Sequence, residues 1–272
     1  MELTFWGVRG TIPVSGRDIN KYGGQTPCAS LVSSKGEIII IDAGTGIRKL
    51  GTTLIREINN RPLQIHILLT HFHIDHIMGF PFFAPLYFPE SIITFYAPVS
   101  PEDIQIYLSG LMAGRYFPLE FRDTKSKKKF VKIPEESFTI GGVQVSNCPL
   151  SHPQGSVAYN FQENEINVIF ATDTEHPEQG IDERLASFVS GAYFLIYDGT
   201  FTPEEYKSGK QGWGHSTWLE GTKIAKETKT TKLFISHFNP DHPDSQIDKI
   251  ISLAQKEFPQ TEGAREGLKV VF

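Results

Sequence analysis

Four residues of metal-ligand type fall within six positions of this sequence: His71, His73, Asp75 and His76, in the run Thr70-His-Phe-His-Ile-Asp-His76. Imidazole nitrogens and carboxylate oxygens suit zinc and similar divalent ions. The preceding His66-Ile67-Leu68-Leu69 is an apolar run of the kind a buried strand makes. On an extended segment His71 and His73 point to one side, because side chains alternate with period two. Asp75 and His76 follow the strand end, where the chain can turn toward a second ion. One strand end could thus supply two ligands to each of two ions. The competing reading is a histidine-rich loop without metal; four ligand-type residues at this spacing weigh against it.

The pattern His71-x-His73-x-Asp75-His76 after an apolar strand resembles the signature of the metallo-β-lactamase superfamily. The resemblance implies an α/β fold, a four-layer αββα sandwich of two mixed sheets with helices outside. It also implies further site residues. His152, in Ser151-His152-Pro153 after a predicted strand, matches the third histidine ligand of the first metal. Asp173, ending the strand Ile166 to Phe170, matches the carboxylate that bridges both metals. His237, at the end of the strand Leu233 to Ser236, matches a ligand of the second. The implied set is then His71, His73, His152 and Asp173 for one ion, and Asp75, His76, Asp173 and His237 for the other. Asp42, ending a predicted hairpin strand, would support the metal loop from behind the ligands.

The elements that must position these residues are readable in outline. Leu3 to Trp6 reads as a strand, and Gly7 to Pro13 and Tyr22 to Pro27 as glycine- and proline-punctuated loops. The family reading places that opening loop beside the active site; a plain surface connection is the alternative. Cys28 to Val32 with Glu37 to Ile41, and Val157 to Phe161 with Ile166 to Phe170, read as hairpins. Further strands are expected at Ile92 to Tyr96, Phe138 to Ile140, Val143 to Cys148 and Ala192 to Tyr197. Ile47, Leu50, Leu54 and Ile58 recur at helical spacing, as do Ile247, Ile250, Ile251, Ala254 and Phe258, and Glu102 to Met112 reads as helical. The aromatic run Gly79 to Tyr87 is packed core under the site or a wall for an aromatic substrate. Lys125 to Lys129, with four lysines in five positions, reads as a solvated edge. Thr70 to His76 and Ser236 to His242 carry His, Phe, Asp and His at the same offsets, which fits two similar α/β halves. Asp241 and His242 are read as structural. Arg115-Tyr116-Phe117-Pro118 reads as a packed turn, with an arginine and a tyrosine that could reach a phosphate and a base as the alternative, and His176 reads as a surface or rim residue. No linker or low-complexity segment interrupts the chain, so residues 1–272 are expected to form a single domain.

His215 selects the branch of the superfamily. Gly214-His215-Ser216-Thr217 together with Ser236-His237 is similar to the phosphodiesterase branch, which holds ribonuclease Z and the related cyclic nucleotide phosphodiesterases. Thr217 with Glu220 makes a capping-box pattern, so His215 stands just before a helix. In that branch the equivalent histidine assists at the phosphate and protonates the leaving oxygen; a helix-capping residue is its bland alternative. His215 and Asp75 are therefore the candidate catalytic residues. A bound ion lowers the pKa of water toward ~7, so such a site supports hydrolysis near neutral pH. Two divalent ions are expected, zinc first, with manganese or iron as alternatives. A flavodiiron-type redox protein would carry glutamate where His73 stands. A lactone or thioester hydrolase leaves Gly-His-Ser-Thr unexplained, and a sensor with a vestigial site would have lost a ligand.

Composition narrows the substrate. The chain has 31 acidic and 26 basic residues, a net charge of −5. A long nucleic-acid backbone favours a basic face, so the expected substrate is a small phosphodiester, a 3′,5′-cyclic nucleotide before precursor tRNA. The two cysteines, Cys28 and Cys148, are far apart, which fits a reducing cytoplasm. No signal peptide or membrane span is expected. A homodimer is expected from the resemblance alone.

Overall fold

The computed structural model of the chain describes residues 1–57 and 62–272; Ile58, the last position of the first predicted helical stripe, lies outside the described residues. In chain order the elements are β1 (Glu2–Gly7), β2 (Cys28–Val32), β3 (Ile38–Ile41), α1 (Ile47–Glu57), β4 (Leu63–Leu68), α2 (Ile74–Ile77), β5 (Ser91–Ala97), α3 (Pro101–Leu111) and β6 (Lys127–Lys132). There follow β7 (Phe138–Ile140), β8 (Val143–Leu150), β9 (Ser156–Glu163), β10 (Ile166–Ala171), α4 (Glu183–Val189), β11 (Phe194–Asp198), α5 (Pro203–Lys207), α6 (Trp218–Glu227), β12 (Lys232–Ser236), α7 (Asp244–Glu257), β13 (Thr261–Gly263) and β14 (Lys269–Val271). The residues group into two compact units. The first comprises Met1–Gly7, Gln25–Pro134 and Glu266–Phe272; the second comprises Val8–Gly24 and Glu135–Arg265.

The first unit is built on a seven-stranded mixed sheet of order β14-β1-β2-β3-β4-β5-β6. β14, β1, β2 and β3 pair antiparallel; β3, β4, β5 and β6 pair parallel. β3 reads Ile-Ile-Ile-Ile, and a strand that meets apolar neighbours on both faces has no use for alternation. The lysine run forms the outer strand β6, as expected for a solvated edge. Helix α1 buries Ile47, Leu50 and Leu54 on one face. Helix α3 begins on a Ser100 cap that accepts the Asp103 N–H at 3.1 Å, followed by Pro101.

The aromatic run divides between its two expected roles. Phe80, Phe83 and Leu86 are fully buried, with Phe80 packed edge-on against Phe95 and Phe121. Their spacing of three is that of the short 3₁₀ turns Phe80–Phe82 and Ala84–Tyr87. Phe82, on the opposite side of its turn, is exposed and meets the Phe117 ring at 5.7 Å, next to the exposed Tyr116. Most of this run is thus core, and only Phe82 is presented outward in the manner of a wall.

The second unit repeats the pattern: its sheet has the order β13-β12-β11-β10-β9-β8-β7. β7 to β10 pair antiparallel and β10 to β13 parallel. Helix α6 starts where the Thr217–Glu220 pair predicts, with Thr217 Oγ1 accepting the Glu220 N–H at 3.4 Å. Helix α7 buries Ile247, Ile250, Ile251 and Ala254. The echo between Thr70–His76 and Ser236–His242 does not mark equivalent strands. Within its own sheet β4 is the second member of the parallel set β3-β4-β5-β6, whereas its counterpart in the set β10-β11-β12-β13 is β11, not β12. Asp42 and Asp173 do occupy matching places, each following the strand where pairing changes from antiparallel to parallel.

Candidate metal centre

In the first unit, β4 ends at Leu68, and Leu69 still donates to the Tyr96 carbonyl, so the chain leaves the sheet at Thr70. The Asp42 carboxylate then holds both ends of the Thr70–His76 segment. Its Oδ1 accepts the Thr70 N–H at 2.8 Å, and its Oδ2 accepts from His76 Nδ1 at 2.8 Å. With Nδ1 donating, His76 turns Nε2 to the side of Asp75, 3.5 Å from its Oδ2. His71 and His73 pack ring to ring at 4.5 Å, and His71 and His76 at 4.3 Å. The expected turn after the strand is the single helical turn α2, which carries Asp75 and His76. Gly44 makes room for it, since a Cβ there would collide with the carbonyl oxygens of Asp75 and Pro27. The loop is also tied to the Asp42 turn by Ala43 N–H donating to His76 O at 2.7 Å.

In the second unit, His152, Asp173, His215 and His237 each follow a strand or precede a helix, as the sequence predicts. Their side chains converge. Asp173 Oδ1 lies 3.3 Å from His237 Nε2, 3.8 Å from His152 Nε2 and 3.9 Å from His215 Nδ1. Each imidazole is fixed through Nδ1. His152 donates to the Gly214 carbonyl at 2.7 Å. His237 lies 3.0 Å from Thr200 Oγ1, whose own proton goes to the His237 carbonyl at 2.8 Å, so the hydroxyl accepts from Nδ1. His215 donates to Asp198 Oδ2 at 3.0 Å.

Asp198, the last residue of β11, is the main residue that the sequence reading left without a role. Its fully buried carboxylate accepts four N–H groups: His215 and Asp173 on Oδ2, Thr200 and Ser216 on Oδ1. Burial opposes its ionisation, yet the His215 and His237 imidazoles pull its pKa below the usual carboxylate range. Thr70 and Thr200 were likewise unassigned. A signal for Asp198 existed: it ends the apolar run Phe194-Leu-Ile-Tyr as Asp42 and Asp173 end theirs.

Three of these residues adopt the left-handed backbone region that favours glycine: Asp42 and Asp173 at φ 59° and His237 at φ 58°. The opening loop proves relevant to His237. Gly10 donates to Phe238 O at 2.9 Å, and a Cβ at Gly10 would fall on the His237 ring. Arg9 is fully buried and donates to the carbonyls of Gly23, Asn239 and His242, while His242 Nε2 lies 2.8 Å from Glu205 Oε1. His242 is therefore structural, as read. His176 is not a simple rim residue; its Nδ1 contacts Ser216 Oγ at 2.9 Å. Arg115 and Tyr116 are exposed.

The donor set fits divalent ions. The ligand atoms of Asp173, Asp198, His215 and His237 gather within 4.8 Å of one another. Asp198 already accepts four protein N–H groups, so it serves as a support, while the fixed imidazoles present Nε2, the arrangement metal-bound histidines adopt.

The fold and these residues define the class. The model of the beta-lactamase superfamily domain matches residues 37–238, and the chain belongs to that superfamily of metal-dependent hydrolases. It is 24% identical to a ribonuclease Z of Prochlorococcus marinus (strain MIT 9515), covering 98% of each chain. Among solved structures it resembles the metallo-beta-lactamase fold protein YhfI of Bacillus subtilis, with a TM-score of 0.73, 19% identity, and 99% and 98% of the two chains covered. It also resembles a diphosphatase from the PhnP family, with a TM-score of 0.69, 19% identity, and 100% and 97% covered.

Proposed function

We propose that the chain hydrolyses small phosphodiesters with two divalent ions, and that its substrates are 3′,5′-cyclic nucleotides opened to nucleoside monophosphates. The observation that carries this reading is the Asp198–His215 pair. Nδ1 of His215 is engaged at 3.0 Å, leaving Nε2 to serve an incoming group, and the side chain keeps 14% exposure beside the buried Asp173. A ribose oxygen expelled unprotonated at neutral pH is a poor leaving group, so a placed proton donor is what this substrate class requires. The names of the relatives, a ribonuclease and a diphosphatase, agree with chemistry at phosphorus.

In this proposal His71, His73, His152 and Asp173 would hold one ion, and Asp75, His76, Asp173 and His237 the other, in a single domain of residues 1–272. Bound ions, zinc in the first instance, would supply Lewis-acid charge and water of lowered pKa. The protein's own groups do the rest. Asp42, Thr200 and the Gly214 carbonyl fix the histidine orientations, and His215 Nε2 gives its proton to the departing ribose oxygen. The proposed setting is the cytoplasm and the proposed assembly a homodimer. Among the described residues no helix is long and apolar enough to cross a membrane.

A ribonuclease Z-like activity is the second reading, favoured by the likeness to that enzyme across nearly all of both chains. Two features argue for the smaller substrate. The chain is net acidic, whereas gripping a long phosphate backbone calls for basic surface. The stretch between His152 and Asp173 is a plain hairpin in which Glu163 pairs with Ile166 across Asn164-Glu165, with no inserted arm. Competition decides: cyclic nucleotides and a 3′-extended tRNA are offered under the same metal and salt conditions. Efficient tRNA cleavage without opening of any cyclic nucleotide would overturn the proposal in favour of the ribonuclease.

A further inference from the structure

Glu175, two residues beyond Asp173, ties together three segments of the second unit. Its backbone N–H donates to Ser151 O at 2.7 Å, next to His152. Its carboxylate reaches the loop that carries His215: Oε1 accepts the Gly212 N–H at 2.7 Å and the Tyr206 hydroxyl at 2.6 Å, and Oε2 accepts the Gly214 N–H at 2.8 Å. Gly214 is therefore held at both its N–H and its carbonyl, since the carbonyl accepts from His152 Nδ1 at 2.7 Å. Gly214 has φ 80°, and a Cβ there would meet Pro153 and the His152 ring, so no other residue type fits this approach.

We propose that Glu175 is a positioning residue that sets two histidines through the Gly212–Gly214 segment. By anchoring Gly212 and Gly214 it places the carbonyl that orients His152, and it fixes the start of the segment from which His215 meets Asp198. The role assigned to His215 rests on the phosphodiesterase reading; the clamp itself does not. A carboxylate suits the task because it is acceptor-only on both oxygens. Glutamine has nearly the same shape but one end carries N–H groups. Whichever way its amide turns, one glycine N–H loses its acceptor.

The test uses the full chain in three forms: Glu175→Gln, Glu175→Asp and the control Glu178→Gln, which removes an exposed charge from the same segment. Amide exchange at Gly212 and Gly214 is read by NMR without substrate. Turnover is read with bis(p-nitrophenyl) phosphate and with a diester of a poor leaving group. Glu175→Gln is expected to speed exchange at one or both amides by about tenfold or more. It should also lower kcat on the poor leaving group by about 10²-fold, the scale of a misplacement near 1 Å, with KM nearly constant and a smaller loss on the p-nitrophenyl diester. Glu175→Asp keeps the charge but is one methylene too short to span both amides, and should follow Glu175→Gln. Glu178→Gln should match the parent. Unchanged amide exchange in Glu175→Gln, or parental behaviour of Glu175→Asp, would overturn the proposal. Faster exchange in a protein whose parent cleaves no phosphodiester would sustain the clamp and overturn only the functional reading.

Discussion

His215 Nδ1 lies 3.0 Å from Asp198 Oδ2, the same oxygen that accepts the Asp173 backbone N–H at 2.9 Å. One carboxylate oxygen thus orients the proposed acid and holds the turn of the proposed bridging ligand. His215→Ala should keep the bound metal and lose about 10²–10⁴-fold in turnover of cyclic nucleotides. The loss should shrink with p-nitrophenolate, which leaves without protonation. Asp198→Asn should show the same dependence on leaving group, because an amide would set N–H groups against N–H groups. Equal losses on good and poor leaving groups, measured for His215→Ala, would count against the proton-donor role.

Asp173 is the residue on which His152, His215 and His237 converge. The purified protein is expected to carry about two equivalents of transition metal per chain. Asp173→Ala should lower the occupancy of both sites together. Chelation should lower the melting temperature of the parent, since ligands that bind only the folded state stabilise it, and should do so less in the variant. Elemental analysis and thermal melts with and without EDTA check this; two tightly held ions in Asp173→Ala would refute the bridging assignment.

Gly10 has no side chain with which to act on a substrate, yet its missing Cβ leaves the space that the His237 ring occupies. Gly10→Ala must therefore displace either the opening loop or the imidazole. We expect metal affinity to fall by about 10–100-fold, as when groups that orient a ligand are disturbed, while the far-ultraviolet circular dichroism stays as it is. A chelator competition titration measures the affinity. An unchanged value would mean that the loop, and not the ligand, gives way.

Acid should weaken the His242–Glu205 support. Burial pushes the Glu205 carboxyl up, but the Thr202 N–H and His242 pull it further down, so it lies below its ordinary 4.5. A group whose folded pKa is depressed contributes stability above its unfolded pKa and loses it as pH falls through the folded value. Glu205→Gln should therefore cost about 1 kcal/mol at pH 7, and the difference from the parent should fade once pH drops below about 4.5. Urea midpoints at the two pH values test it; a difference that persists in acid would remove the carboxylate from the account.

What was legible in the sequence is what is local. The candidate ligands His71, His73, Asp75 and His76 sit within six positions just after one strand, and the cap Thr217 announces helix α6 from three residues away. His152, Asp173 and His237 were reachable because each follows a predicted strand, with the resemblance supplying their order. Asp198 also ends an apolar run, but neither its role nor that of Glu175 could be read there. Their partners lie 17 and 37 to 39 residues away, and a carboxylate in a turn carries no mark of which N–H it will meet. The aromatic run shows the same limit at short range: hydrophobicity alone does not separate the buried Phe80 and Phe83 from the exposed Phe82, and only the 3₁₀ spacing does. The short outer strands β13 and β14 have too few residues for alternation to register.

The left-handed backbone at Asp42, Asp173 and His237 has a consequence for how this protein would evolve in the laboratory. Each of these positions opposes the chain's own conformational preference, which glycine would satisfy at lower cost. A selection for heat tolerance alone, run with a chelator so that bound metal adds nothing to stability, should drift toward asparagine at 173 and 237, while Asp42 stays because its carboxylate holds Thr70 and His76. Survivors of such a selection would be hardier and inert, and the places where they changed would map the site without any assay of its chemistry.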